Sequence, residues 1–98
     1  MSSESGVASL IRELREQRGE SLRSAARNIG VDVAHLARIE SGERQLSAAL
    51  GDRVSDYYEV NSDSVHLAAG RVPPDILAIL QAHPEELAAL RARRSADG

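Results

Sequence analysis

Apolar and polar positions along the chain recur with the period of an α-helix rather than that of a strand. Val7, Leu10, Ile11 and Leu14 fall at i, i+3, i+4 and i+7, while Arg12, Glu13, Arg15, Glu16 and Arg18 take the other faces. This predicts a first helix, ended by Gly19. Ser21 is placed to cap a short second helix whose apolar face is Leu22, Ala25, Ala26 and Ile29, and Gly30 closes it. Asp32 is placed to cap a third helix, with Leu36 and Ile39 inward and Val33, Ala34, His35, Ala37 and Arg38 largely outward, closed by Ser41 and Gly42. After a polar loop of Glu43, Arg44 and Gln45, the spacing of Leu46, Leu50, Val54, Tyr57 and Tyr58 predicts a fourth helix despite Gly51 in its interior. Val60 should close the core, and Asn61 and Ser62 start a fifth helix over Val65, Leu67 and Ala68 that ends at Gly70.

Arg71, Val72, Pro73 and Pro74 form a stiff link, since proline restricts the residue before it and is tolerated in a helix's first turn. Ile76, Leu77, Ile79 and Leu80 then make an apolar stripe. His83-Pro84 interrupts it, and Leu87 and Leu90 resume it before Arg91, Arg93 and Arg94. The expected organisation is all-α: a loose tail over residues 1–6, a five-helix unit over 7–70, and a helical extension over 71–98 whose last residues, Ser95 to Gly98, should fray. The apolar face of the extension needs cover from a second copy, from a partner or from the unit itself.

Composition narrows how such helices can pack. Ninety-eight residues suit one small domain, and the 42% hydrophobic share holds fifteen Ala and no Phe or Trp. The core must come from close approach of small aliphatic side chains, which suits helices better than sheets. With no Cys, disulfides, thiolate metal sites and cysteine nucleophiles are excluded. The start of the chain has neither the charged nor the apolar region of a signal peptide, and its apolar runs are too short to span a bilayer, so a cytoplasmic protein is expected. All twelve basic residues are Arg, against fifteen acids, for a net charge of -3. A globally basic nucleic-acid binder is thereby excluded, but a local basic face is not. Residues 1–53 carry eight Arg and eight acids, whereas residues 54–98 carry four Arg and seven acids, so the deficit lies in the C-terminal half.

The most informative stretch runs from Ser21 to Gly42. Two short helices meet at a sharp turn opened by Gly30, a small Ala26 lets them approach, and Val31, Leu36 and Ile39 anchor the angle; together these describe a helix-turn-helix. Around it, Ile11-Arg12-Glu13-Leu14-Arg15-Glu16-Gln17-Arg18-Gly19 and Leu36-Ala37-Arg38-Ile39-Glu40-Ser41-Gly42-Glu43-Arg44 closely follow the pattern of the XRE family of phage-repressor-like regulators. From about Leu10 to Gly70 the chain resembles that family. The resemblance implies a five-helix, lambda-repressor-like helix-turn-helix domain that binds double-stranded DNA.

The resemblance also implies roles for particular residues. Arg15 would pair with Glu40 to orient the third helix and leave Arg15 able to approach a phosphate. Val33, Ala34, His35, Ala37 and Arg38 would read base edges, with Arg38 able to contact guanine and Val33 and Ala34 able to pack on thymine methyls. Phosphates would be held by Ser21 at the start of the second helix, by Arg23, Arg27, Ser41 and Arg44, and by Arg15. Two positions depart from the family pattern: Leu22 stands where a phosphate-holding Gln is common, and Glu43 where a basic residue is common.

Other chemistry finds little support. His35, His66 and His83 lack metal-ligand spacing, no cofactor-binding fingerprint is present, and Glu85 and Glu86 fit a helix start better than acid-base catalysis. An enzyme is not expected. The helical spacing of Tyr57 and Tyr58 places at least one of them in the core. The leading expectation is a sequence-specific transcriptional regulator, homodimeric on an operator of two half-sites, with a regulatory partner able to dock on the extension. The alternative is an antitoxin-like or adaptor module that keeps the fold while DNA contact is secondary.

Overall fold

The computed structural model describes residues 6–97, which form seven helices and no strand. These are α1 (Val7–Gln17), α2 (Leu22–Ile29), α3 (Val33–Glu40), α4 (Ala48–Tyr58), α5 (Ser62–Ala68), α6 (Pro74–Ala82) and α7 (Glu85–Asp97). Of the tail expected over residues 1–6, only Gly6 lies within the described residues, and it is the N-cap of α1. Side-chain caps open three helices: Ser21 accepts from the Ser24 N–H, Ser47 from Leu50, and Asn61 from Asp63 and Ser64. Asp32 occupies the N-cap position of α3, but its exposed side chain accepts no capping bond, so the sequence pattern locates the helix start correctly and misjudges how it is capped. Helix α7 runs to Asp97, and Arg94 in its last turn complements the helix dipole.

The core joins α1 to α5. Ile11, Ala25, Ala26, Ile29, Leu36, Ile39, Leu46, Leu50, Val54, Tyr58 and Val65 are buried. Ala25 and Ala26 present no bulk, so α2 can lie close to its neighbours α3 and α4. Leu46 and Val33 differ from what the pattern predicts, and His35 and Ala37 are half-buried rather than outward. Leu46 is fully buried but precedes α4, whose cap is Ser47, so it enters the core from the loop. Val33 is half-buried against the core rather than outward, because the sharp turn brings the start of α3 back towards α2. Gly30 makes that turn at φ 90°, a left-handed conformation that side chains resist, and the N–H groups of Gly30 and Val31 both donate to the Ala26 carbonyl at 2.9 Å.

Five arginines act as ties between elements around a core that has Tyr58 but no Phe or Trp. Arg12 donates to the Glu40 carbonyl at 2.7 Å, Arg53 to the Gly30 carbonyl at 2.7 Å, and Arg71 to the Leu46 carbonyl at 2.6 Å. Arg18 donates to the Tyr57 carbonyl at 2.9 Å and lies 4.7 and 4.9 Å from the ring centres of Tyr57 and Tyr58. Arg15 ties α1 to α3 through Glu40. The planar guanidinium fork, unlike an ammonium, can hold several fixed acceptors at once.

Both tyrosine hydroxyls donate to Glu20, and Asn28 donates to the Tyr57 oxygen. Burial, followed by the nearby Glu20 carboxylate, raises the Tyr58 phenol above its ordinary value of 10.0. The folded chain therefore holds this proton more tightly than the unfolded chain. The associated stability is complete below pH about 10 and is lost as pH rises through the folded value. Denaturation midpoints measured across alkaline buffers should fall above pH about 10, and Tyr58→Phe should flatten that fall.

Gly51, inside α4, is explained by α5. A Cβ there would come within 2.9 Å of the His66 ring, which is pinned by Asp52 at 2.8 Å on one nitrogen and by Arg71 at 2.9 Å on the other. Helix propensity alone would favour Gly51→Ala by about 1 kcal/mol. Overpacking against a pinned ring costs about 1 to 3 kcal/mol, so a net loss on the order of 1 kcal/mol is expected from urea denaturation of this variant.

Beyond α5 the apolar residues find no cover. Val72, Ile76, Leu77, Ile79, Leu87 and Leu90 are exposed, α6 has no buried residue, and only Leu80 is half-buried near the His83-Pro84 corner where α6 and α7 meet. No helix is long and apolar enough to cross a membrane among the described residues.

Candidate nucleic-acid interface

The third helix is held by a part-buried ion pair. Arg15 Nε donates to Glu40 Oε2 at 2.8 Å and Nη2 to Oε1 at 2.9 Å, a two-pronged interaction. Arg15 Nη1 also donates to the Glu20 carbonyl at 2.9 Å. Glu40 is 5% exposed, so this is an interior tie and not a surface ion pair. The hydrogen bond that Arg15 donates to Glu40 raises its affinity for its proton, outweighing the opposing effect of burial. Three of the five guanidinium N–H groups are thus committed, which leaves two for any outside acceptor.

Along α3, Ala34 and Arg38 are exposed and Ser41 follows on the same side, making a solvent-facing stripe at helical spacing. His35 and Ala37 flank it and are half-buried, while Val33 packs on the core. The five residues expected to read bases therefore differ in reach: Arg38 and Ala34 are fully presented, and Val33 is largely committed to packing. The end of α3 is wound tightly. The Arg38 carbonyl accepts from Ser41 Oγ at 3.0 Å, from the Glu43 N–H at 2.8 Å and from the Arg44 N–H at 3.2 Å. This anchors the backbone that carries Arg44 and turns the Ser41 hydroxyl proton inward.

Arg23 and Arg27 stand one turn apart on α2 and, with Ala26, Val31, Asp32 and Val33, line an open concavity of about 260 Å³ between α2 and α3. At the start of α2 the Ser21 oxygen is occupied by the Ser24 N–H, and the N–H groups of Leu22 and Arg23 are the free ends that any helix start leaves. Arg23, Arg27, Arg38 and Arg44 share one property: none of their guanidinium groups hydrogen-bonds or pairs with another described residue. Asp32 and Glu43 are the acids beside this face. The arrangement can bind anionic oxygens and acceptor-rich edges.

Sequence reasoning missed the tie from Arg53 in α4 to the Gly30 carbonyl, which braces the turn between α2 and α3. It also missed the bond from Arg12 to the Glu40 carbonyl. No local signal could have exposed either, because the partners are separated by 23 and 28 residues and the acceptors are backbone groups.

A helix-turn-helix domain family model matches residues 7–69. Among solved structures, the chain is similar to the crystal structure of an HTH_3 family transcriptional regulator from Vibrio cholerae, with a TM-score of 0.58 and 30% identity. That match covers 65% of this chain and 36% of the other, so the chain spans about a third of the protein it resembles. No curated protein matches it significantly. With the family match running from α1 through α5 and the two helices meeting at Gly30 inside it, the chain belongs to the helix-turn-helix domain family as an XRE-like member.

Proposed function

We propose that the chain is a sequence-specific DNA-binding transcriptional regulator that acts as a homodimer on an operator of two half-sites. The observation that carries this reading is the division of the arginines. Of the nine arginines up to Arg71, five are consumed as internal ties, whereas Arg23, Arg27, Arg38 and Arg44, all on α2, α3 or the loop after it, are left without partners among the described residues. In this reading Ala34, His35, Ala37 and Arg38 meet base edges, with Val33 supporting them from the core side. Arg23, Arg27 and Arg44 hold phosphates, with Ser21 and Ser41 at the adjoining helix ends and Arg15 offering its two remaining donors. One short recognition helix reads too few base pairs to find a site alone, which is the reason for two copies. Such a protein works in the cytoplasm, beside the DNA it regulates.

The uncovered apolar residues of α6 and α7 favour a second reading, an antitoxin-like or adaptor module in which protein contact comes first. Selection of bound duplexes from a random pool separates the two. The regulator reading requires enrichment of a motif with two related halves, whose spacing reports the dimer geometry. A pool that stays random, together with a stably co-purifying second protein, would establish the adaptor reading instead.

A further inference from the structure

The exposed stripe of α7 carries Leu87 and Leu90, which line one open depression with Arg91 and Arg94. On one flank of that stripe stand Glu86 and Arg93, both exposed, and neither side chain pairs with any described residue. Glu85, by contrast, meets His83 Nδ1 at 3.4 Å. Glu86 and Arg93 lie two turns apart, about 10 Å along the axis, so they cannot neutralise one another within the helix. Each is open to an opposite charge from outside, and this chain contains both halves of the complement.

We propose that a second copy of this chain covers the stripe, with the two α7 helices antiparallel about a two-fold axis. In an antiparallel helix pair, residues on the same flank meet. Aligning Leu87 of each copy with Leu90 of the other brings Glu86 of each to Arg93 of the other, giving two symmetric ion pairs beside an apolar seam. A parallel pair would instead stack Arg94 on Arg94 and crowd the two three-arginine ends together. The dipoles favour the same choice, since each acidic helix start then lies along a basic helix end. This goes beyond the operator reading, which requires a dimer but not this one.

The test is the mass of the full chain in solution without DNA, by sedimentation or light scattering, so its outcome is independent of operator binding. The parent should show twice the single-chain mass at micromolar concentration, and Leu90→Asp should return it to one chain while leaving the melting of the five-helix unit in place. Glu86→Arg and Arg93→Glu should each weaken association by at least about tenfold. An equimolar mixture of those two variants should recover it as a heterodimer, because each like-charge pairing is then replaced by an opposite one. A parent of single-chain mass at every concentration would overturn the proposal. So would a dimer indifferent to Leu90→Asp, which places the interface elsewhere, or a mixture that fails to recover, which removes the antiparallel register.

Discussion

Replacing Glu40 by Ala is expected to cost the five-helix unit about 1 to 3 kcal/mol, because it leaves the part-buried Arg15 guanidinium without its counter-charge. Small domains have a total stability of about 5 to 15 kcal/mol, so this one substitution removes a large share of it. It also releases the end of α3, since Glu40 links α1 to the recognition helix through its carboxylate and, at its backbone, through Arg12. Urea titration followed by circular dichroism measures the effect. A double replacement by apolar residues of similar size, Arg15→Met with Glu40→Leu, should regain much of the stability, as removing both charges leaves nothing unpaired. An unmoved midpoint in Glu40→Ala would mean that the pair contributes no more than an exposed ion pair, about 0 to 1 kcal/mol.

The second large effect belongs to the proposed DNA face. Arg38→Ala should weaken binding to the selected duplex by about 1 to 3 kcal/mol and relax preference at a single base step in each half-site. Arg44→Ala should weaken selected and unrelated duplexes alike, and should flatten the dependence of log affinity on log salt by about one unit for each phosphate no longer neutralised. Titrations of both variants at several salt concentrations distinguish the roles. Parental binding in both would place the DNA-binding face on some other surface.

Much of this architecture was legible in the sequence, for reasons that are local. The i, i+3, i+4, i+7 spacing of Val7 to Leu14, the cap at Ser21 and the left-handed Gly30 depend on neighbours within a turn or two, so the pattern alone reveals them. The errors arose where a distant element decides. Val33 reads as outward from its own helix but meets the core because of the turn, and Leu46 reads as the first residue of a helix but is drawn inward ahead of it. Gly51 looks like a weakness in α4 until the His66 ring is placed above it.

The candidate site was legible to a different degree. Resemblance named Arg15 with Glu40, and the structure shows the two prongs of that pairing. It could not separate arginines that tie the fold together from arginines that face outward. Arg53 and Arg44 are equivalent in any charge count, yet one braces the Gly30 turn and the other has no partner among the described residues. Only the positions of backbone carbonyls, which carry no side-chain signature, distinguish them.

The detachment of α6 and α7 from the core has a consequence for folding itself. These helices are 9 and 13 residues long, near or below the length at which an isolated helix holds together in water. In the proposed dimer, their order is tied to the covering of the Leu87 and Leu90 stripe, so ordering and association form one equilibrium. Amide hydrogens in α7 should then exchange more slowly as protein concentration rises, while those of α2 and α3 stay protected at every dilution. The arm would thus report how much of the protein is present, and the five-helix unit would not.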